Sequence, residues 1–253
     1  MKKLVFISPH LDDAILSCGE YIKKMTDLGN EVNVITVFSG CPNKEEFSGI
    51  AKAFHKLCNL ADNAMDIRKL EDIRAIKKLN CSYEHLDEYE CLYRVGDNGE
   101  FLINEKKDIL SDQTLMDKKT IESLTNTIGE KIFDIRFDEI YVPLSVGNHT
   151  DHILIRKVLE NILIPNYIDK LYYYQDTPYI FYDKFPVEEK TKGLKNVVVE
   201  INEKEWQSKI EAINEYDSQL KMLWPNENDM ITQLDHISKK YLNDSRSIMF
   251  WIK

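Results

Sequence analysis

The stretch Leu4-Val5-Phe6-Ile7-Ser8-Pro9-His10-Leu11-Asp12-Asp13-Ala14-Ile15-Leu16-Ser17-Cys18 changes periodicity after Ser8, and that change decides the fold. Leu4 to Ile7 is a continuous apolar run, the pattern of a strand buried on both faces. Beyond it Ile15, Cys18, Ile22, Met25 and Leu28 recur at helical spacing until Gly29-Asn30 supplies a stop. Val32 to Phe38 reads as a second, β-branched strand closed by Ser39-Gly40. Strand, helix, strand within forty residues opens a parallel α/β sheet.

The same alternation continues. Helices are predicted over about 44–60, 64–79 and 117–130, and a short strand over Tyr83 to Leu86. Residues 87–116 read as polar and irregular, with Gly96-Asp97-Asn98-Gly99 as a turn. Glu139 to Leu144 is a further strand, and Leu154, Val158 and Ile162 mark a helix face expected to end before Pro165. Leu171 to Tyr174, Val197 to Ile201 and Ile248 to Ile252 are later strands; helices are expected around 204–223 and 229–242. No linker, repeat or low-complexity tract divides the chain, so residues 1–253 read as a single domain.

Composition bounds the function. Hydrophobic residues make up 43% and charged residues 30%, a globular balance. A net charge of −10 opposes a broad nucleic-acid or anionic-membrane surface, which needs clustered Lys and Arg. A small ligand is the expected partner; oligomeric state is left open. The five cysteines are scattered without a CxxC, as in a reducing compartment. The apolar run of the N-terminal MKKLVFISPH is too short for a signal peptide, and no run reaches membrane-spanning length, so the expected location is cytoplasmic.

Two segments carry the chemistry. Ser8 to Asp13 (SPHLDD) and Gly147 to His152 (GNHTDH) each follow a buried strand and open a helix. Each sets a histidine three residues from a second strong metal ligand, His10 with Asp13 and His149 with His152. Residues three apart at a helix start project the same way, and open parallel sheets bind ligands beyond the carboxyl ends of their strands. Two strand ends can therefore aim four groups at one ion. A hydrolytic zinc needs three protein ligands and one open position. Asp12 cannot easily share that ion with its neighbour Asp13, and is left for proton transfer. His55, His85 and His236 stand alone and are expected to fill ordinary surface or core positions.

SPHLDDAILSCGE together with GNHTDH resembles the PIG-L or LmbE-like family of zinc-dependent de-N-acetylases, typified by N-acetylglucosaminyl-phosphatidylinositol deacetylase. The similarity runs through most of the chain. Arg68-Lys69-Leu70-Glu71-Asp72 resembles that family's Arg-x-x-Glu helix, Leu86-Asp87 with Tyr93-Arg94 a substrate-side loop, and Gln175-Asp176-Thr177-Pro178-Tyr179 an Asp-x-Pro-Tyr segment. The resemblance implies a Rossmann-like, mostly parallel sheet with helices on both faces and hydrolysis of an N-acetyl group from an acetamido sugar or glycoconjugate such as an N-acetylglucosamine derivative. It implies His10, Asp13 and His152 as ligands of one Zn2+, a set that Fe2+ or Co2+ also fits. Asp12 becomes the general base, and His149, if protonated, the group that supports the oxyanion. On the substrate side, Arg68 and Arg94 are expected to hold a phosphate, carboxylate or sugar hydroxyls, and Asp176 and Tyr179 to line the sugar site. Leu11 and Ala14 depart from the family's usual Pro and Glu; neither is a ligand, so the departures bear on substrate choice.

Three other readings fit less well. A phosphoesterase, or a hydrolase of another amide, can use the same ligands, but two-metal phosphoesterases need more carboxylates. A nucleotide-binding protein would want a Gly-rich loop where Ser8-Pro9-His10 stands. A non-catalytic sugar-binding module should have lost Asp12 or His149, and both are present.

Overall fold

The protein is described by a computed structural model that covers every residue except 44–46, 61–62, 97, 112–117 and 183. β1 (Lys3–Ser8) lies at the centre, hydrogen-bonded in parallel to β2 (Glu31–Thr36) on one side and β4 (Glu139–Pro143) on the other. Its unbroken apolar run follows from that place. Leu4 and Phe6 pack into the layer on one face, Val5 and Ile7 into the layer on the opposite face. Each such buried side chain contributes roughly 1.5–3 kcal/mol.

Among the described residues the strands form one seven-stranded sheet, in the order β3-β2-β1-β4-β5-β7-β6. β3 is Ser82–His85, β5 Leu171–Tyr174, β6 Lys195–Glu200 and β7 Ser247–Ile252. β7 runs antiparallel to both β5 and β6, so six strands share one direction. The connection from β1 goes outward to β2 and β3, then returns to lay β4 on the other flank of β1. The strand order therefore reverses between β1 and β4, the place where such sheets open a crevice.

On one face, α1 (Asp13–Asp27), α3 (Ala64–Lys78), α7 (Glu203–Ile213) and α9 (Glu227–Ser238) close a core around Phe6, Tyr141, Trp206, Trp224 and Phe250. On the other, α4 (Lys118–Ile135), α5 (Thr150–Tyr167) and the one-turn α6 (Val187–Lys190) cover Val5, Ile7, Ile140, Val142, Tyr173 and Trp251. A third cluster of Leu11, Phe47, Ala51, Met65, Cys91, Tyr93, Ile103 and Ile109 ties α2 (Gly49–Leu57) and the loops to the crevice. The stretch read as merely polar thus carries a small core of its own. No helix among the described residues is long and apolar enough to cross a membrane.

Several boundaries differ from those the sequence suggests. α5 carries Pro165 within its last turn and ends at Tyr167, because Ile164 and Tyr167 still pack on the core. The helix expected over 204–223 is two, α7 and α8 (Asp217–Leu223). Their break is set from afar: Glu71 of α3 accepts hydrogen bonds from the Ser218 N–H (2.9 Å) and hydroxyl (2.6 Å) at the start of α8, and the Tyr216 hydroxyl donates to Asp72 (2.6 Å). α4 runs on to Ile135, whereas α9 stops at Ser238. α2 begins at Gly49; the earlier start expected at 44, the 117 start of α4 and Asp97 of the expected turn lie outside the described residues.

Candidate active site

The loop after β1 and the loop after β4 meet at the strand-order reversal. Ser8 braces the first: its hydroxyl donates to the His10 carbonyl (2.6 Å) and accepts from the Ala14 N–H (3.0 Å). Asp13 opens α1, where the helix N-terminus favours a carboxylate. Its Oδ2 accepts from the His10 backbone N–H (2.8 Å) and lies 3.0 Å from His10 Nδ1 and 3.2 Å from His152 Nε2. The edge of a tetrahedral site with nitrogen and oxygen ligands at about 2.0–2.1 Å is about 3.3 Å, close to both separations. His10, His149 and His152 also bring ring nitrogens within 4.8 Å of one another.

The far side of each ring is held by a carboxylate. His152 Nδ1 lies 2.7 Å from Asp176 Oδ1, and His10 Nε2 lies 2.9 Å from Asp151 Oδ2. A carboxylate on the outer nitrogen leaves the inner nitrogen's lone pair for a metal. His152 Nε2 is buried and has no hydrogen-bond partner, although a carboxylate oxygen lies 3.2 Å away. That orphaned atom and the donor set around it fit a divalent cation. Asp12, Asp13, Glu90, Asp151 and Asp176 are all buried here, against the guanidinium groups of Arg68 and Arg94.

Burial works against charge on every one of these groups, and the neighbours decide the outcome. For His152, Asp13 and Asp176 outweigh burial and raise the ring to about 9; for His10, Asp13 and Asp151 raise it to about 10. Burial would lift Asp13, but His152 and His10 hold it well below the carboxylate range. Asp12 goes the other way. Burial, then Asp13, push it up to about 8, partly offset by Arg68, whose Nη2 lies 4.0 Å away. Its backbone, at φ 152° and ψ −32°, is rarely adopted by a residue with a side chain, a strain of about 1–3 kcal/mol. His149 caps α5, its Nδ1 accepting from the Asp151 N–H (3.2 Å), which leaves Nε2 as the protonated donor. Burial and the nearby His10 and His152 push this ring well down, so it is a neutral imidazole rather than the imidazolium the sequence reading entertained.

A cavity of about 350 Å³ opens over these groups, within the range of small-ligand sites. His10, Asp12, Asp13 and His149 line its floor, and Arg68 and Tyr179 its walls. Tyr179 stands edge-on to His152, with ring centroids 5.7 Å apart, and depends on Gly147. Gly147 has φ +90°, and a Cβ there would meet the Tyr179 ring at 2.4 Å. Arg94 and Asp176, expected on the substrate side, are placed elsewhere. Arg94 donates to Asp151, and Asp176 accepts from His152 and from the Val146 N–H (2.9 Å). Neither lines the cavity.

Two residues that the sequence does not single out also belong to the site: Asp151, and Glu90, which sits 3.5 Å from Arg68 on the cavity wall. His55, expected to be bland, also lines the cavity, paired with the Tyr93 hydroxyl at 2.6 Å. No local signal marks Asp151 for this role, because the imidazole it holds is His10, 141 positions earlier in the chain.

Comparison with known proteins agrees with this fold. A teicoplanin deacetylase in a zinc-inhibited form superposes with a TM-score of 0.84 over 98% of this chain and 97% of its own, at 23% identity. A deacetylase of the teicoplanin biosynthesis pathway superposes with a TM-score of 0.84 over 98% and 96%, at 25% identity. A 42-residue stretch is 45% identical to the 2'-N-acetylparomamine deacetylase of Niallia circulans; it spans 17% of this chain and 15% of that enzyme. The model of the GlcNAc-PI de-N-acetylase family, PIG-L, matches residues 5–163, from β1 through most of α5, and the chain belongs to that family of N-deacetylase hydrolases.

Proposed function

We propose that the protein hydrolyses the N-acetyl group of an acetamido sugar or glycoconjugate, releasing acetate and a free amine, with one divalent cation, zinc, held by His10, Asp13 and His152. The observation that carries the reading is His152 Nε2, buried without a hydrogen-bond partner and facing the Asp13 oxygen that also faces His10. The zinc-inhibited form of a deacetylase of the same fold and the 2'-N-acetylparomamine for which the Niallia circulans enzyme is named support the metal and the substrate class.

A cation bound there supplies Lewis acidity that brings water within reach of deprotonation near neutral pH. Asp12, buried beside the ligands with Arg68 Nη2 4.0 Å away, takes the water proton and returns it to the departing nitrogen, which leaves poorly as an anion. Acid–base help of this kind contributes about 10²–10⁴-fold. His149 donates from Nε2 to the carbonyl oxygen as it becomes negative, and a neutral donor fixed by the Asp151 N–H needs no reorganisation. Arg68 and Tyr179 line the cavity where sugar hydroxyls or an anionic substituent would lie.

Metal analysis joined to an acetate-release screen over N-acetylated sugars tests this reading. One equivalent of metal is expected, with release abolished by a chelator and restored by zinc. A metal-loaded protein that frees acetate from none of these substrates would overturn the proposal.

A further inference from the structure

We infer that Arg94 is a positioning residue for the cation site rather than a substrate ligand: its guanidinium clamps Asp151, and Asp151 fixes the ring of His10. The inference rests on the reading of His10 as a metal ligand. Asp151 is fully buried at the start of α5, and both of its oxygens are engaged. Oδ2 faces His10 Nε2 and accepts from the Cys91 N–H, both at 2.9 Å, while Oδ1 accepts from Arg94 Nη2. With Oδ1 free, the carboxylate plane could turn about its Cβ–Cγ bond and take the His10 contact with it.

Arg94 is itself held on two further sides. Nη1 donates to the Tyr89 carbonyl (3.5 Å), and the guanidinium lies over the Phe38 ring, 5.1 Å from its centroid. Its side chain is 10% exposed and forms no part of the cavity wall. A substrate-holding arginine presents its donors to the cavity, as Arg68 does; Arg94 turns a fork toward a carboxylate behind a ligand. Outer-shell partners of ligating histidines typically carry 10–100-fold in metal affinity.

The experiment measures zinc affinity by competition with a chromogenic chelator in the full-length protein, for R94M, R94K and D151N. R94M is expected to raise the zinc dissociation constant about 10–100-fold, with KM at saturating zinc within about twofold of the parent. R94K, which keeps the charge and loses the fork, should fall between them. It also serves as the test where R94M fails to fold. Adding R94M to D151N should change zinc affinity less than about twofold, because the clamp then has nothing left to hold. A cobalt-loaded R94K should show a shifted visible absorption spectrum, reporting a turned ligand. Unchanged zinc affinity in both Arg94 variants overturns the inference, whether or not KM rises. A parent protein that binds no stoichiometric zinc would instead remove the function proposed above.

Discussion

Asp176→Asn changes one atom and should cost the metal more than the fold. Both Asp176 oxygens are acceptors, Oδ1 from His152 Nδ1 at 2.7 Å and Oδ2 from the Val146 N–H at 2.9 Å. An asparagine offers one oxygen and one NH2, so one of the two donors must lose its acceptor. The Val146 amide cannot change its role, whereas an imidazole can move its proton to the other nitrogen. The arrangement with no clash puts the new oxygen on Val146 and the NH2 on His152 Nδ1. That choice moves the His152 proton to Nε2, the atom facing Asp13 at 3.2 Å. The metal-free variant keeps an Nε2–H facing Asp13 and should unfold close to the parental midpoint. The metal has lost its lone pair.

Changes in outer-shell partners cost about 10–100-fold in affinity, and a forced tautomer places this one at the upper end, about 100-fold or 2.7 kcal/mol. At a fixed zinc concentration well above both Kd values, the stabilisation by metal falls by that amount. For a protein of this size the zinc-induced rise in Tm should shrink by roughly 5–10 °C. Chelator competition and thermal unfolding with and without zinc measure both quantities. A zinc Kd within twofold of the parent would refute the reasoning about the tautomer.

Three further outcomes are expected. Asp12→Asn should retain stoichiometric zinc and lose about 10²–10⁴-fold in kcat, whereas His152→Ala should lose the metal; an Asp12 variant turning over at full rate removes the general base. Gly147→Ala should destabilise by about 1–3 kcal/mol and lower activity, because φ +90° is strained for alanine and its Cβ would meet Tyr179 at 2.4 Å; an unchanged Tm contradicts this. Alkaline pH should destabilise the protein from about pH 9 upward. Burial pushes the Cys81 thiol up to about 12 and the Cys18 thiol well above its ordinary value, so the folded state keeps protons that the unfolded chain has released. Stability then falls by up to about 1.4 kcal/mol per pH unit for each thiol, and a Tm flat from pH 8.5 to 10.5 argues against it.

Much of the fold and part of the candidate site are legible in the sequence because they are local. The run Leu4 to Ile7 and the spacing from Ile15 to Leu28 give strand and helix directly, and the structure places both there. The pairs His10 with Asp13 and His149 with His152 each fall at a helix start, as their spacing indicates. What the sequence leaves silent depends on partners far along the chain. The break between α7 and α8 is made by Glu71 and Asp72, some 140 residues earlier. Arg94 and Asp176 carry the same charge whether they meet a substrate or a neighbouring side chain, so a motif cannot say which way they face.

By itself, then, the chain's order of residues determined a parallel α/β framework and two loops armed with imidazole and carboxylate, since periodicity and i,i+3 spacing act within a few residues. Tertiary structure alone decided that β1 and β4 lie side by side, bringing those loops within 3.2 Å across the 138 residues of chain that separate Asp13 from His152. It alone decided that Asp151 and Asp176 stand behind the two histidines. The reason is physical. Burying a carboxylate beside an imidazole is favourable only where the surrounding packing supplies a donor to each oxygen, and that packing exists only once the sheet has closed.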